Sequence, residues 1–290
     1  MHPFQYVAAR SVDEVVGVLT EHGQRARCMA GGTDILTQTR GGRFDLDVLV
    51  DLKGVPETTE LRFGPDGLYL GASVPCYRIY EDPAVAAAYP GIIDAASLIG
   101  GIQIQSRASL GGNLCNASPS ADGICPLIVH SATAHIAGPN GRRSVPVEEF
   151  SSAPGLTVLG NGEFLIGLDL PRPTSGFGAA YERFIPRNEM DIAVVGVASS
   201  ITVNAGGTVQ AARIALAAVG PVPILAHRAA GSLIGKQADA SAFEAASTLA
   251  AQEATPISDM RGDIEFRRTL VRVLAQRTLT KALDRAGHSN

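Results

Sequence analysis

Two pairs of adjacent glycines constrain the fold of this chain more strongly than any other feature. One pair lies in residues 30–34 (AGGTD) and the other in residues 109–113 (SLGGN), and each follows an apolar, strand-like stretch. Glycine has no Cβ, so the backbone N–H groups of such a loop can approach a phosphate closely. A diphosphate would fit between the two loops. Each pair taken singly is typical of an ordinary tight turn. The two pairs together make a binding site and two simple turns equal alternatives.

Other motifs for nucleotide binding or catalysis are absent. The chain contains no G-x-G-x-x-G and no G-x-x-x-x-G-K-[ST], which excludes a Rossmann fingerprint and a P-loop. It also lacks H-E-x-x-H and G-x-S-x-G, so a metal hydrolase and a serine hydrolase are both unsupported. The sequence therefore identifies no catalytic side chain on this polypeptide.

Composition narrows the class of protein further. The 290 residues are 46% hydrophobic and carry a net charge of −4, so a sizeable core is expected and nucleic-acid binding is disfavoured. No secretory signal and no apolar run of about 20 residues is visible, which predicts a cytoplasmic protein without a membrane span. The four cysteines form no C-x-x-C pair, so neither a zinc site nor an iron–sulfur cluster is predicted here.

The N-terminal half predicts an α/β arrangement. A capping box at residues 11–14 (SVDE) starts a helix, and strands are predicted at residues 27–30 and 48–52. An Ala-rich segment predicts one long helix over about residues 83–98, and the Gly- and Ser-rich segment 100–119 predicts a loop. A polar ligand is expected on that loop.

The C-terminal half predicts strands first and helices last. Residues 171–176 (PRPTSG) form the clearest linker in the chain, so a domain boundary is predicted there. Apolar strands at residues 192–203 and 213–219 are separated by the turn residues 204–207 (NAGG), a pattern typical of a hairpin. A long helix over about residues 262–285 closes the chain, so this half is expected to be α+β.

Five motifs, in this order and at these separations, resemble one protein family. They are residues 30–34 (AGGTD), 103–113 (QIQSRASLGGN), 118–122 (SPSAD), 163–166 (EFLI) and 187–193 (RNEMDIA). Together they resemble the FAD-binding medium subunit of molybdenum-containing hydroxylases, which include carbon monoxide dehydrogenase, nicotine dehydrogenase and the flavin part of xanthine dehydrogenase. The resemblance covers essentially the whole chain.

The resemblance implies an α+β protein with an FAD-binding fold of the vanillyl-alcohol-oxidase (PCMH-like) type. Two α/β FAD-binding subdomains would cover residues 1–55 and 56–175. A C-terminal flavoprotein domain of antiparallel strands and helices would cover residues 176–290. Extended FAD would lie between these parts, with its diphosphate against both glycine loops.

The resemblance also assigns FAD contacts by motif position. Asp122 corresponds to the family's acidic residue that accepts hydrogen bonds from cofactor hydroxyls, and Leu165 and Arg183 match positions that touch the cofactor in xanthine-type relatives. The residues by themselves leave open a helix-end carboxylate, a strand-core leucine and a surface ion pair, respectively. The complete predicted set is Cys28, Met29, Ala30, Gly31, Gly32, Thr33, Asp34, Ile35, Ile99, Ser109, Gly111, Gly112, Asn113, Asp122, Leu165 and Arg183.

The chain departs from the family pattern at several positions. Ile99 stands where xanthine-type members carry an aromatic residue near the flavin ring, and Tyr181 is a candidate replacement. Residues 105–106 are Gln-Ser where many relatives have Arg-Asn. Carbon monoxide dehydrogenases tend to have His-Ser where this chain has Thr33 and Asp34. An organic substrate, N-heterocyclic or aromatic, is therefore favoured over carbon monoxide.

The resemblance implies partners as well as a cofactor. A large subunit would carry molybdopterin, a small subunit would carry [2Fe–2S] clusters, and the assembly would be a dimer of heterotrimers. Electrons would pass through the clusters to FAD and then to an acceptor, with oxygen, a quinone, a cytochrome and NAD left open. The alternative function is a binding or assembly protein that keeps this fold without a cofactor.

Overall fold

A computed structural model describes residues 3–287 and begins with a three-stranded parallel sheet. The elements of this first unit are β1 (Gln5–Ala8), α1 (Val12–His22), β2 (Ala26–Met29), α2 (Ile35–Arg40) and β3 (Val48–Asp51). The strand order is β1-β3-β2, and both pairings are parallel. Ser11 caps α1 by accepting a hydrogen bond from the Glu14 N–H at 3.2 Å, as the capping box predicts.

The middle of the chain forms a five-stranded antiparallel sheet with short helices. Its elements are α3 (Pro56–Thr59), β4 (Leu61–Gly64), β5 (Gly67–Gly71), α4 (Cys76–Glu81), α5 (Pro83–Ala88), α6 (Pro90–Ala96), α7 (Ile102–Gln105), α8 (Leu110–Asn116), α9 (Ile124–Val129), β6 (Thr133–Gly138), β7 (Gly141–Pro146), β8 (Ser151–Ala153), β9 (Leu156–Thr157) and β10 (Phe164–Pro171). The sheet order is β4-β5-β10-β6-β7, and β8 pairs with β9 separately.

The long helix predicted over residues 83–98 is wrong. The segment forms α5 and α6, which are separated at Tyr89, a residue outside helical geometry (φ −126°, ψ 55°). Pro90 explains the break, because proline has no N–H to donate and disfavours helical geometry in the residue before it. The buried Tyr89 hydroxyl then donates to the carbonyls of Leu170 at 3.2 Å and Pro171 at 3.1 Å, which ties the break to the end of β10.

The C-terminal part is a four-stranded antiparallel sheet covered by helices. Its elements are β11 (Phe177–Phe184), β12 (Val195–Val203), β13 (Val209–Ala217), β14 (Ile224–Leu225), α10 (His227–Gly231), α11 (Ala240–Glu253) and α12 (Ile264–Gly287). The predicted hairpin is confirmed, since β12 pairs with β13 in antiparallel register. Its turn is closed by the Gly207 N–H, which donates to the Asn204 carbonyl at 2.9 Å.

Continuous apolar cores join the three parts. One core contains buried residues of the five-stranded sheet together with Tyr181 and Ala215 from the C-terminal sheet. Another contains Val50 from the first unit together with Phe164 at the start of β10. The space between the first unit and the five-stranded sheet is therefore bounded by packed, rigid elements.

Within residues 3–287 no helix combines the length and the apolar character needed to cross a bilayer. The same residues contain no group of three or more His, Cys, Asp or Glu side chains able to hold a metal ion.

His130 is buried between two aromatic rings and makes the stability of the fold depend on pH. Its ring lies 5.5 Å from that of Tyr89 and 5.3 Å from that of Phe177, and its Nε2 has no hydrogen-bond partner among the described residues. Burial lowers the pKa of His130 to about 3. The imidazole is therefore neutral in the folded protein and takes up a proton near pH 6.5 only after unfolding.

Acidification from pH 7.5 to 5 is expected to reduce the free energy of unfolding by about 2 kcal/mol through His130 alone. The folded-state pKa lies below the unfolded value, so this stability is present above pH 6.5 and is lost as the pH falls toward 3. Urea denaturation at several pH values measures it. His130→Leu should flatten the slope between pH 6.5 and 5, and an unchanged slope would contradict the assignment.

Candidate functional site

A cleft of about 720 Å³ lies between the first unit and the five-stranded sheet. Its walls come from β2 and α2, from the start of α8, and from the segment that connects β9 to β10. Twelve of the predicted residues line it: Cys28, Ala30, Gly31, Gly32, Thr33, Asp34, Ile35, Ile99, Ser109, Gly112, Asn113 and Leu165. The tertiary structure therefore brings the two glycine segments to one site.

The first glycine segment packs directly against the residues that precede and begin the second, residues 107–112. A Cβ at Gly31 would overlap the backbone carbonyl of Arg107, and a Cβ at Gly112 would lie 3.8 Å from the Cβ of Ala30. Gly32 has φ +81°, a left-handed conformation that L side chains rarely adopt. Glycine is thus required at Gly31 for contact between the segments and at Gly32 for the turn.

Lys53 supports the first glycine segment from behind. Its Nζ donates to the Ala30 carbonyl at 3.1 Å and to the Asp51 carboxylate at 2.6 Å. Asp51 is buried and also accepts a hydrogen bond from the Tyr6 hydroxyl. This network ties the turn to the end of β3.

The second glycine pair lies in a helix, so the prediction of a continuous loop over residues 100–119 is wrong. Ser109 caps α8, and its Oγ accepts a hydrogen bond from the Gly112 N–H at 3.0 Å. Gly111 faces away from the cleft, since a Cβ there would lie 2.5 Å from the backbone of Ala72. Glycine weakens a helix by about 1 kcal/mol per residue, but the serine cap and this close packing offset the loss.

Asp122 and Arg183 lie outside the cleft lining and form a buried ion pair with each other. One oxygen of Asp122 accepts from Arg183 Nη1, and the other accepts from the Tyr181 hydroxyl at 2.7 Å. The side chain of Arg183 is only 5% exposed, so the alternative of a surface ion pair is wrong. Burial raises the pKa of Asp122, while the charge of Arg183 and the hydroxyl of Tyr181 oppose that rise.

Two other expected contributors to the site lie behind its wall. Tyr181 is 1% exposed and does not line the cleft, so it supplies no ring face in place of the aromatic residue that Ile99 replaces. Met29 packs with Leu46 and Leu49 in a small apolar core behind the first glycine segment. The prediction that these side chains reach a ligand from the cleft wall is not supported by their positions.

Polar and sulfur side chains set the character of the cleft wall. Burial raises the pKa of Cys28 and brings that of Cys115 to about 12, so both thiols are neutral near pH 7. Asp34 reaches solvent in part, but the wall around its carboxyl desolvates it and raises its pKa. Asn113 Oδ1 accepts from the Gly123 N–H at 2.9 Å, which orients this side chain at the start of α9.

Sequence reasoning missed one side of the cleft. Arg27, Arg43 and Phe44 line it together with residues 155–157 and 159–163. Strand alternation offers no signal for Arg27, because adjacent strand residues point to opposite faces and Cys28 is already assigned to the cleft. Residues 155–162 carry no motif, and only the tertiary contacts bring them to the site.

The amino-acid sequence matches two family profiles that together span almost all of it. Residues 2–173 match the FAD binding domain in molybdopterin dehydrogenase, and residues 179–282 match the CO dehydrogenase flavoprotein C-terminal domain. The chain belongs to this family of FAD-binding medium subunits of molybdenum hydroxylases. The resemblance of the five motifs is thereby confirmed, and members of the family are subunits of oxidoreductases.

Curated relatives and solved structures agree with this membership over the full length. The carbon monoxide dehydrogenase medium chain of Hydrogenophaga pseudoflava is 30% identical over 282 residues, which cover 97% of this chain and 98% of that one. The xanthine dehydrogenase FAD-binding subunit of Escherichia coli O157:H7 is 29% identical over 284 residues, covering 97% of each chain.

The structure of carbon monoxide dehydrogenase from Hydrogenophaga pseudoflava superposes with a TM-score of 0.93 at 31% identity, covering 98% of this chain and 99% of that one. The structure of quinoline 2-oxidoreductase from Pseudomonas putida 86 superposes with a TM-score of 0.90 at 32% identity, covering 98% of each chain. The predicted α+β fold of this flavoprotein subunit is confirmed.

The residues of the cleft fit the FAD of this family. The volume of the cleft lies in the range of about 300–1,000 Å³ typical of cofactor sites. Gly31 and Gly32 leave a turn without side chains beside the N-terminal residues of α2, where an anion is favoured.

Proposed function

We propose that this chain is the FAD-carrying electron-transfer subunit of a molybdenum hydroxylase complex. The convergence of both glycine segments in one cofactor-sized cleft carries the proposal, and family membership supports it. When bound, FAD supplies a carrier that accepts two electrons and can release them singly. The chain's own residues bind this group, orient it and shield it from water.

The proposed FAD contacts are those predicted residues that line the cleft. Gly31, Gly32 and Gly112 keep the space for the diphosphate free of side chains, and the hydroxyls of Thr33 and Ser109 supply donors. Cys28, Ile99 and Leu165 supply apolar wall. The other predicted residues, Met29, Gly111, Asp122 and Arg183, do not line the cleft and would support its wall from behind.

We infer three domains with boundaries at 1–55, 56–175 and 176–290. The strands of each sheet fall within one of these ranges: the parallel sheet ends at Asp51, the five-stranded sheet ends at Pro171, and the C-terminal sheet starts at Phe177. The residues between β10 and β11 match the predicted linker in composition and position.

The partner subunits follow from what this chain lacks. Its four cysteines are Cys28, Cys76, Cys115 and Cys125, and they offer no array for an iron–sulfur cluster. We propose a large subunit with molybdopterin and a small subunit with [2Fe–2S] clusters, assembled as a dimer of heterotrimers. An organic substrate, N-heterocyclic or aromatic, would be oxidised on the large subunit, and an external acceptor would take the electrons.

Relatives with organic substrates support that substrate class. They include the 6-hydroxypseudooxynicotine dehydrogenase complex subunit alpha of Paenarthrobacter nicotinovorans, 27% identical with 98% of this chain and 95% of that one covered. The quinoline 2-oxidoreductase structure is a second case. The chain also has Thr33 and Asp34 where carbon monoxide dehydrogenases tend to have His-Ser, which favours an organic substrate over carbon monoxide.

Purification of the chain alone tests the proposal. We expect a yellow protein with one FAD, whose flavin is reduced by dithionite and reoxidised by an acceptor dye, but which hydroxylates no N-heterocycle or aldehyde. Co-expression with its neighbouring genes should yield a complex of three polypeptides that turns over substrate. Turnover by the single chain would contradict the subunit assignment, and a colourless protein that FAD does not reconstitute would support the cofactor-free alternative.

A further inference from the structure

The side of the cleft that carries no family motif contains two arginines around one aromatic ring. The guanidinium carbon of Arg27 lies 4.9 Å from the ring centroid of Phe44, and that of Arg43 lies 5.4 Å from the same centroid. All three side chains line the cleft. Both distances fall within the range of a cation–π contact, so the ring holds the two charges close together.

Neither arginine has an acidic partner. Among residues 3–287, no carboxylate lies within ion-pair distance of Arg27 or Arg43, whereas neighbouring Arg25 pairs with Asp45 at 3.2 Å and Asp47 at 2.6 Å. Arg27 is half-buried, and burial lowers its pKa. A desolvated cation without a counter-charge is unfavourable, so the arrangement favours an anionic ligand.

Backbone hydrogen bonds orient the Arg27 guanidinium, and the Arg43 guanidinium lies against the backbone of Gly155. Arg27 Nη1 donates to the carbonyls of Gln24 at 3.0 Å and Ala26 at 2.9 Å, which leaves its remaining N–H groups for the cleft. Arg43 Nη2 approaches Gly155 so closely that a Cβ at that glycine would overlap it. The Gly155 N–H donates to the Ala117 carbonyl at 2.9 Å, directly after α8. Arg43 therefore reaches from the first unit across to the second.

The positive charges of Arg27 and Arg43 lie close to the first glycine segment. Phe44 packs in the same small core as Ile35, the residue at which α2 begins after that segment. The acidic side chains of the cleft wall are Asp34 and Glu163, and Glu163 is already bound by Arg143 at 2.6 Å. The arginines thus leave an excess of positive charge beside the glycine turn.

We propose that Arg27 and Arg43, held against Phe44, form the anion anchor of this cleft and bind the phosphate groups of a nucleoside diphosphate. The inference rests on the proposed function in taking that ligand to be the ADP half of FAD. Arginine suits the task because its planar fork donates two parallel hydrogen bonds to a phosphate. The anchor would make the site prefer FAD over FMN and riboflavin, which lack the adenylate half.

Titration of the full-length chain with FAD, FMN, riboflavin and ADP tests the anchor. Arg27→Met and Arg43→Met should each weaken FAD and ADP binding by about 10- to 100-fold, the loss typical of a charge-assisted hydrogen bond, and should leave riboflavin unchanged. The dependence of FAD affinity on salt should also fall in both variants. Arg25→Met is the matched control, since it removes the same charge two residues from Arg27 where carboxylates already pair with it.

The outcomes separate the anchor from the flavin function. FAD and ADP affinities equal to wild type in both variants would overturn the anchor while leaving the flavin subunit intact. Binding of ADP that depends on Arg27, without binding of any flavin, would support the anchor and overturn the flavin function. Absence of both FAD and ADP binding by the wild type would overturn both. If Arg27→Met fails to fold, the FAD and ADP affinities of Arg43→Met test the anchor, because the Arg43 side chain is exposed.

Discussion

Asp122→Ala is expected to lower the free energy of unfolding by about 3–5 kcal/mol, the usual loss when one partner of a buried ion pair is removed. Arg183 would keep its charge at 5% exposure without a carboxylate, and the Tyr181 hydroxyl would lose its acceptor. For a chain of this size the midpoint of thermal unfolding should fall by roughly 6–15 °C. Thermal and urea denaturation with FAD removed measure the change.

Asp34→Ala is the control, because it removes a predicted cofactor-site carboxylate that has no ion pair among residues 3–287. Its stability should stay within about 0.5 kcal/mol of wild type. Asp122→Asn keeps an acceptor for the Tyr181 hydroxyl. Its free energy of unfolding should lie between those of Asp122→Ala and Asp34→Ala. An unchanged melting temperature together with weaker FAD binding in Asp122→Ala would show that the carboxylate binds the cofactor instead of bracing the wall.

Gly31→Ala is expected to weaken FAD binding by about 10- to 100-fold, which corresponds to the 1–3 kcal/mol typical of overpacking. The new Cβ would overlap the carbonyl of Arg107, and a backbone atom cannot rotate away as a side chain does. The two glycine segments must then separate, which widens the space proposed for the diphosphate. Flavin fluorescence titration gives the affinity.

Gly17→Ala is the matched control for this substitution. Gly17 lies in α1, and a Cβ there meets no atom within 4 Å, so the change should raise stability by up to about 1 kcal/mol. FAD affinity should not change in that variant. Wild-type FAD affinity in Gly31→Ala would mean that contact between the segments does not define the site.

Local sequence was a good guide wherever a short-range rule controlled the backbone. The capping box at Ser11 predicted the start of α1, and the turn before Gly207 predicted the hairpin of β12 and β13. The first glycine segment was predicted as a turn and has the positive φ at Gly32 that such a turn needs. Each of these features depends on residues within four positions of one another, so the sequence contains the whole cause.

The same reasoning failed where distant contacts overrode local preference. Gly111 and Gly112 are poor helix formers, yet they lie in α8 because Ser109 caps it and Ala72 packs against it. Asp122 was assigned to the cofactor by motif position, and its two oxygens are taken by side chains about 60 positions later in the chain. Propensity and motif spacing do not report such contacts.

The sequence by itself determined the family, the α+β class and the two glycine segments proposed to hold a diphosphate, because glycine turns, caps and strand patterns act over a few residues. Only the tertiary structure decided which residues form the walls of the cleft and which lie behind them. It placed Arg43 against Gly155, turned Gly111 away from the site and buried Arg183 with Asp122. Those outcomes depend on which surfaces meet when three sheets pack, and burial and charge pairing between distant residues set the choice.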